Sequence, residues 1–405
     1  MILDAIKNAN LKLFLPFFLV TSSIAVLMNA AYVYIPVIFS IFFLVRFQNL
    51  SPLFSILIFA FFALIVSSSK VLEGDLIAYK RYYDYVATND LNTVLYAWLS
   101  ESSVRVSEFM FKFYNYTLSS LGANFYFFHS FSIFIIYVCL FLLSLEILKT
   151  LKPSNNENNI ANYDDKIFAI FWTFLVAISF TLTSQVLKQY LSMMFFSLAL
   201  IFLLKNKKIF FLFLLSLSIF THNASIVLIP FFIFSYLFKN YFKSNLAKLI
   251  LISVSFALGS LFLNIINALG LSSLFMYGGM EDSNLGITVL LDAVMIFLVF
   301  FILPKKNDAN EIQFFKAFIF TFICFLVFAR DIPIILLRVY FYMDIFRIFF
   351  GIYIYQSFKR NDRSIILICL AFIGPIYWNL KLFSSGWDYS WYNLSDSLMQ
   401  FLLSY

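Results

Sequence analysis

The chain is a succession of long apolar stretches separated by short polar ones, with no sustained alternation of apolar and polar residues. A helix crosses a hydrocarbon layer of ~30 Å with ~17–25 predominantly apolar residues. On this pattern, helices are predicted over 11–28, 30–47, 51–68, 124–148, 167–184, 186–204, 209–221, 224–238, 249–268, 287–303, 313–329, 339–358 and 364–382. The first two nearly abut, as a hairpin or as one broken element. The pair 209–221 and 224–238 is too short for two ordinary spans, which predicts a helix broken around His222 and backed by protein rather than lipid. Continuous apolar runs exclude an outer-membrane β-barrel, whose strands alternate.

Composition narrows the class. The 405 residues are 62% hydrophobic and 12% charged, against ~25% charged in soluble domains. The expected fold is all-α: a polytopic integral membrane helical bundle of about 11–13 transmembrane helices, with 1–405 forming one integral domain. The 21% of aromatic residues suits lipid-facing and interfacial packing and says little about chemistry. Residues 1–10 are polar and no small-residue cleavage site follows the first apolar run, so no cleavable signal peptide is expected. Cys139, Cys324 and Cys369 fall inside apolar helices, and His129 and His222 are the only histidines. Neither a disulfide nor a metal centre is expected, and no cofactor.

The loops orient the bundle. Placing Met1–Asn10, Phe47–Leu50, Leu151–Lys166, Lys205–Lys208, Lys239–Lys248, Lys305–Lys316 and Lys359–Arg363 on one side gathers most of the 28 Lys and Arg there. That side is cytoplasmic by the positive-inside bias. Topology thus accounts for the net charge of +7, and no nucleic-acid partner is implied. Ten basic residues run against the bias: Lys70, Lys80, Arg81, Arg105, Lys112, Lys188, Arg330, Arg338, Arg347 and Lys381.

The opposite, outer side carries loops at about 69–123, 269–286 and 383–405. The first mixes Asp75, Lys80, Arg81 and Asp84 with Tyr79, Tyr82, Tyr83 and Tyr85. From Ser103 to Leu121 it places Val106, Phe109, Met110, Phe113, Tyr116 and Thr117 at helical spacing, which predicts a helix lying along the interface.

Candidate chemistry concentrates at the outer ends of helices. Gln185, Lys188, Gln189 and Ser192 share one helix face. Lys188 is either a snorkelling helix-end lysine or a phosphate-binding cation backed by amides. His222 with Asn223 is either a hydrogen-bonded helix break or a substrate contact and proton acceptor. Tyr340, Asp344, Arg347 and Gly351 line one helix face with Arg338 at its outer end. Asp344 and Arg347, three apart, can pair with each other; Arg338 is the stronger anion-binding candidate because its guanidinium fork fits a phosphate. Asp292 is an isolated intramembrane carboxylate, open to a functional role, a helix cap or a basic partner. Asp75 and Glu108 are the loop acids placed to act as base or sugar ligand, and the neighbouring tyrosines can stack on sugars.

The order of these features resembles the O-antigen polymerase (Wzy) class, in particular the EpsG-like polysaccharide polymerases, over roughly 33–355. The elements that carry the resemblance are Gly74-Asp75-Leu-Ile-Ala-Tyr79, Glu108-Phe109, Lys188-Gln189 where the subgroup has Arg-Gln, the basic turn, and Phe220-Thr-His222-Asn-Ala-Ser225, a spaced-out version of a Phe-His-x-Ser element. Lysine keeps the charge of that arginine and lacks its fork. The resemblance implies a GT-C-like membrane glycosyltransferase on the periplasmic face of a bacterial inner membrane. Its substrate is an undecaprenyl diphosphate-linked oligosaccharide; its partners are membrane lipid and a chain-length regulator. It implies Asp75, His222 and Arg338 as catalytic residues. Lys188, Gln189, Gln185, Tyr79, Arg81, Glu108, Tyr340, Arg347 and Asp292 become substrate- or diphosphate-binding residues. A lipid-linked oligosaccharide flippase and an O-antigen ligase are the rival readings; the first usually shows matched internal repeats and the second a dominant late outer loop.

The charge pattern predicts a measurable topology. Alkaline phosphatase fused after Asn206 stays inactive, and fused after Thr88 it is active; the opposite pattern overturns the orientation.

Overall fold

The computed structural model describes residues 70–96, 108–151, 163–178, 185–240, 244–268, 286–303, 310–330 and 338–359, with isolated positions among 60–67, 183, 332 and 362–370. The predicted helices over 11–28 and 30–47, most of those over 51–68 and 364–382, and the outer loops at 269–286 and 383–405 lie outside the described residues. Arg105 and Lys381 lie there as well.

All regular elements among the described residues are helical. The α-helices are α1 (Asp75–Thr88), α2 (Leu91–Tyr96), α3 (Phe109–Ser120), α4 (Phe125–Thr150), α5 (Tyr163–Phe171), α6 (Leu187–Leu204), α7 (Lys208–Thr221), α8 (Leu228–Phe238), α9 (Asn245–Ala268), α10 (Gly286–Phe297), α11 (Asn310–Phe328) and α12 (Met343–Ser357). Four described helices are long and apolar enough to cross a membrane: Phe125–Thr150, Leu187–Leu204, Asn245–Phe262 and Asn310–Phe328. Their apolar surface makes this a membrane protein. On α9 that surface is turned outward, with Leu249, Ile250, Val254, Leu258, Leu261 and Ile265 exposed, which only a hydrocarbon solvent tolerates at such length.

Helix α6 is the axis of the described bundle. It packs against α7 and α4, and it is buried on nearly every face. Small residues make the closeness possible: Ser192 and Ser218 exchange hydrogen bonds across the α6–α7 contact, each hydroxyl donating to the other's carbonyl at 2.9 Å. At the cytoplasm-predicted end α6 stops on Asn206, the non-glycine residue with φ of 57°. There the amides of Asn206 and Lys207 reach the carbonyls of Leu203 and Phe202 at 2.9 and 2.8 Å, so the last carbonyls are satisfied and the chain turns straight into α7.

The broken helix predicted at His222 is present. His222 is extended, with φ −150° and ψ 119°, and separates α7 from a single 3-10 turn, Asn223–Val227, that leads into α8. One departure from the predicted helices matters. Of the stretch predicted as one helix over 167–184, the described part, 167–178, is the end of α5 followed by a wider π-helical turn, Trp172–Ala177. The extra residue of that turn brings Trp172 against α12, where its indole Nε1 donates to the Arg347 carbonyl at 2.6 Å. Only glycine fits opposite: a Cβ on Gly351 would stand 1.9 Å from the Trp172 ring. Of the predicted interfacial helix, Phe109–Ser120 is present as α3; 103–107 lie outside the described residues.

Gly351→Ala therefore forces the indole or α12 to move, at a cost of about 1–3 kcal/mol. Thermal unfolding in detergent should show a lowered Tm. In a Trp172→Ala background the same change should cost nothing further; an equal loss in both backgrounds refutes the contact.

Candidate functional site

The end of the bundle predicted to face outward gathers five segments that are far apart in sequence. Gly74 opens α1 with φ of +52°, a backbone state that glycine adopts without penalty. The turn it makes exposes the Glu73 carbonyl, which accepts a 2.6 Å hydrogen bond from Gln185 Nε2. A Cβ on Gly74 would press to 2.9 Å from that amide nitrogen. The Gly-Asp turn and the amide at the head of α6 are thus one contact. Gln185 Oε1 is buried without a hydrogen-bond partner.

One turn further along, Glu108 is the centre of the site. It is 1% exposed. Its Oε2 lies 3.0 Å from Lys188 Nζ and its Oε1 lies 3.1 Å from His222 Nδ1. Lys188 and His222 are each 6% exposed. A buried carboxylate is stable only with strong partners, and here each oxygen has one. With Glu108 ionised, the His222 Nδ1 donates and the other ring nitrogen is left as the proton-accepting one.

The remaining members surround this core. Gln189 Nε2 donates to the Arg338 carbonyl, so the same helix face that carries Lys188 fixes the start of the 338–340 turn. The Arg338 guanidinium and Lys188 ammonium both act on Asp75, whose carboxyl is raised by burial and pulled back down by those two cations. Tyr79 is buried one turn after Asp75 on the same side of α1. Burial, with Asp75 and Glu108 nearby, holds its phenol well above the usual range, against the Lys188 backbone N–H and Arg338. Tyr79 is therefore a neutral donor, and its ring packs at 5.8 Å from Phe111. Asp75, Tyr79, Glu108, Gln185, Lys188, Gln189, His222 and Arg338 thus converge. Arg81 does not: it is exposed on the opposite side of α1.

Arg347, Asp292 and Tyr340 form a second, separate cluster. Arg347 is fully buried and forked onto Asp292, Nε to Oδ1 at 2.6 Å and Nη2 to Oδ2 at 2.7 Å. It also bonds Asp344 and, at 3.0 Å, the Tyr340 hydroxyl. Asp344 accepts from Tyr190 at 2.7 Å, and Tyr340 donates to Asp292. Two carboxylates on one guanidinium, closed by two phenols, fasten α10, α12 and α6 together. The expected Asp344–Arg347 pair exists, and Asp292 is its third member.

Other basic residues that run against the charge bias also have local partners. Lys70 meets Glu73 at 2.6 Å and Lys80 meets Asp84 at 2.7 Å. Lys112 donates to the Leu95 carbonyl at 2.8 Å. Arg330 grips α9 through Ser260 Oγ at 2.6 Å and lies 3.6 Å over the Phe256 ring.

Two groups, Ser218 and Tyr342, were not singled out in the sequence. Ser218, Ser225 and Tyr342 join Ser192 in a buried hydroxyl knot, with Ser225 bonded to both Ser192 and Tyr342. This knot ties the turn after His222 to α6 and α12. The signal available was a pair of serines flanking the helix break at small-residue spacing.

A family model, that of the EpsG family, matches residues 52–395. No curated protein and no solved structure matches the chain.

Removing Glu108 leaves a buried ammonium and an unheld imidazole, so Glu108→Ala should cost about 3–5 kcal/mol. Pairing it with Lys188→Met should return part of that loss. A double-mutant cycle by thermal unfolding measures this; additive losses contradict the bridge.

Proposed function

The chain belongs to the EpsG family of Wzy-like polysaccharide polymerases, and from that premise we propose that it joins lipid-linked repeat units into a surface polysaccharide. In this reading it is a GT-C-like glycosyltransferase of the bacterial inner membrane, working at the periplasmic face. The growing glycan leaves its undecaprenyl diphosphate carrier and passes to a sugar hydroxyl of another lipid-linked repeat unit. The observation that carries the reading is the bridge from Lys188 through Glu108 to His222, a cation and a proton acceptor held on the two oxygens of one carboxylate.

The chemistry assigned to these groups balances as follows. The acceptor hydroxyl oxygen forms a bond to the anomeric carbon of the donor sugar while the bond from that carbon to the diphosphate oxygen breaks. The hydroxyl proton passes to the free ring nitrogen of His222, and undecaprenyl diphosphate departs with the electron pair. Lys188 and Arg338 stabilise the charge that grows on the diphosphate, the place where an enzyme gains most from fixed cations. Glu108 keeps the His222 ring in the tautomer and orientation that accept a proton. An arriving diphosphate competes with Glu108 for Lys188. As Lys188 turns to it, Glu108 acts more strongly on His222, so donor binding strengthens the base. This order favours His222 over Asp75 as the base; Asp75 stands beside both cations as their resting counter-ion.

Deleting the gene and sizing the surface glycan tests the class. Glycans capped with a single repeat support a polymerase, absence of any repeat supports flippase or ligase, and unchanged long chains refute all three. For the site, Lys188→Ala, Arg338→Ala and His222→Ala should each abolish long chains while the protein still inserts, whereas Arg81→Ala should leave chain length unchanged. Wild-type lengths in the first three remove the assignment.

A further inference from the structure

Helix α3 (Phe109–Ser120) is amphipathic with its sides exchanged relative to a helix in water. The polar residues Lys112 and Asn115 are fully buried toward the protein, along with Phe111 and Leu118. Lys112 donates inward to the Leu95 carbonyl and Asn115 to the Phe111 carbonyl at 2.8 and 2.7 Å. Turned outward are Phe109 and Phe113, 41% and 48% exposed, and beyond the helix end Leu121 at 76%. On that outward side Thr117 and Ser120 fold back to donate to the Phe113 and Thr117 carbonyls at 2.8 and 2.9 Å. The outer side of α3 therefore carries no charge and spends the hydroxyls of Thr117 and Ser120 on its own backbone, a bonding that needs no water.

Two neighbours fix what lies against this face. Helix α1, which packs on α3, keeps Arg81 and Asp84 exposed, so the water side of this layer belongs to α1. The turn after α3 leads into α4, a membrane span, whose Phe127 and Leu142 are exposed as well. Leu121 at the end of α3 and Phe127 in the first turn of α4 are both exposed, so the outward apolar residues of α3 lead along the chain into those of that span.

We propose that α3 lies on the membrane with Phe109, Phe113 and Leu121 inserted among the acyl chains of the leaflet on its side. This seat places Glu108, the residue that opens α3, at the depth where a lipid-borne diphosphate lies. The proposal rests on the membrane character of the chain and not on the polymerase reading, so either can fail alone.

The test places a nitroxide label at Phe113→Cys, and separately at Asp84→Cys, in a Cys139→Ala/Cys324→Ala/Cys369→Ala background reconstituted in nanodiscs of phosphatidylethanolamine and phosphatidylglycerol. Collision with dissolved oxygen and with a water-soluble nickel chelate is measured by electron paramagnetic resonance. The expected result is a label at 113 that collides with oxygen and is shielded from nickel, with the reverse at 84. Nickel access at 113 equal to that at 84 overturns the proposal. Shielding of 113 from both reagents also overturns it and indicates cover by protein, such as a second copy. Phe113→Trp, which preserves the apolar face, should leave the amount of inserted protein unchanged, and Phe113→Asp should lower it; equal amounts for both again contradict the seat.

Discussion

A single buried carboxylate constrains the described end of this protein. Glu108 faces a lysine with one oxygen and a histidine with the other, and none of the three has enough water around it to be content alone. The cost of burying Glu108 is met only if α3, α6 and the break between α7 and α8 all hold their places. The hydroxyl knot of Ser192, Ser218, Ser225 and Tyr342 is what holds the last two. The Gly74 turn, clasped by Gln185, brings Asp75 and Tyr79 to the same spot.

The second ionic cluster does different work. Arg347 is saturated by Asp292, Asp344 and Tyr340, and the phenol of Tyr190 closes the network from α6. Such a network in an apolar interior acts as a register pin, since sliding α12 by one turn strands a buried guanidinium. It keeps the 338–340 turn at a fixed height, where Gln189 catches the Arg338 carbonyl. One cluster is therefore closed upon itself and structural. The other, in the proposed function, offers cations and a proton acceptor to the substrate.

Much of this was legible in the sequence because local rules suffice for it. Apolar run lengths mark the spans, the short pair of runs marks the broken helix at His222, and the three-residue spacing of Asp344 and Arg347 marks their pair. The polar face of α6 likewise identified Gln185, Lys188 and Gln189. The partnerships across the bundle were not legible. Glu108 is 80 residues from Lys188 and 114 from His222, and nothing local tells one loop carboxylate from another. Asp292 looked isolated because its partner stands 55 residues away. The π-helical turn that delivers Trp172 to Gly351 was hidden for the same reason: its cause is the tertiary contact, and its residues read as ordinary helix.

The central claim is that these cations and this histidine serve glycan transfer from a lipid diphosphate. The direct measurement reconstitutes the protein in liposomes with the lipid-linked repeat unit that accumulates in a deletion strain, and follows both glycan length and free undecaprenyl diphosphate. The account predicts longer glycans and one undecaprenyl diphosphate released for each new glycosidic bond. Movement of intact repeat units across the bilayer, with no new bond and no released carrier, would contradict it.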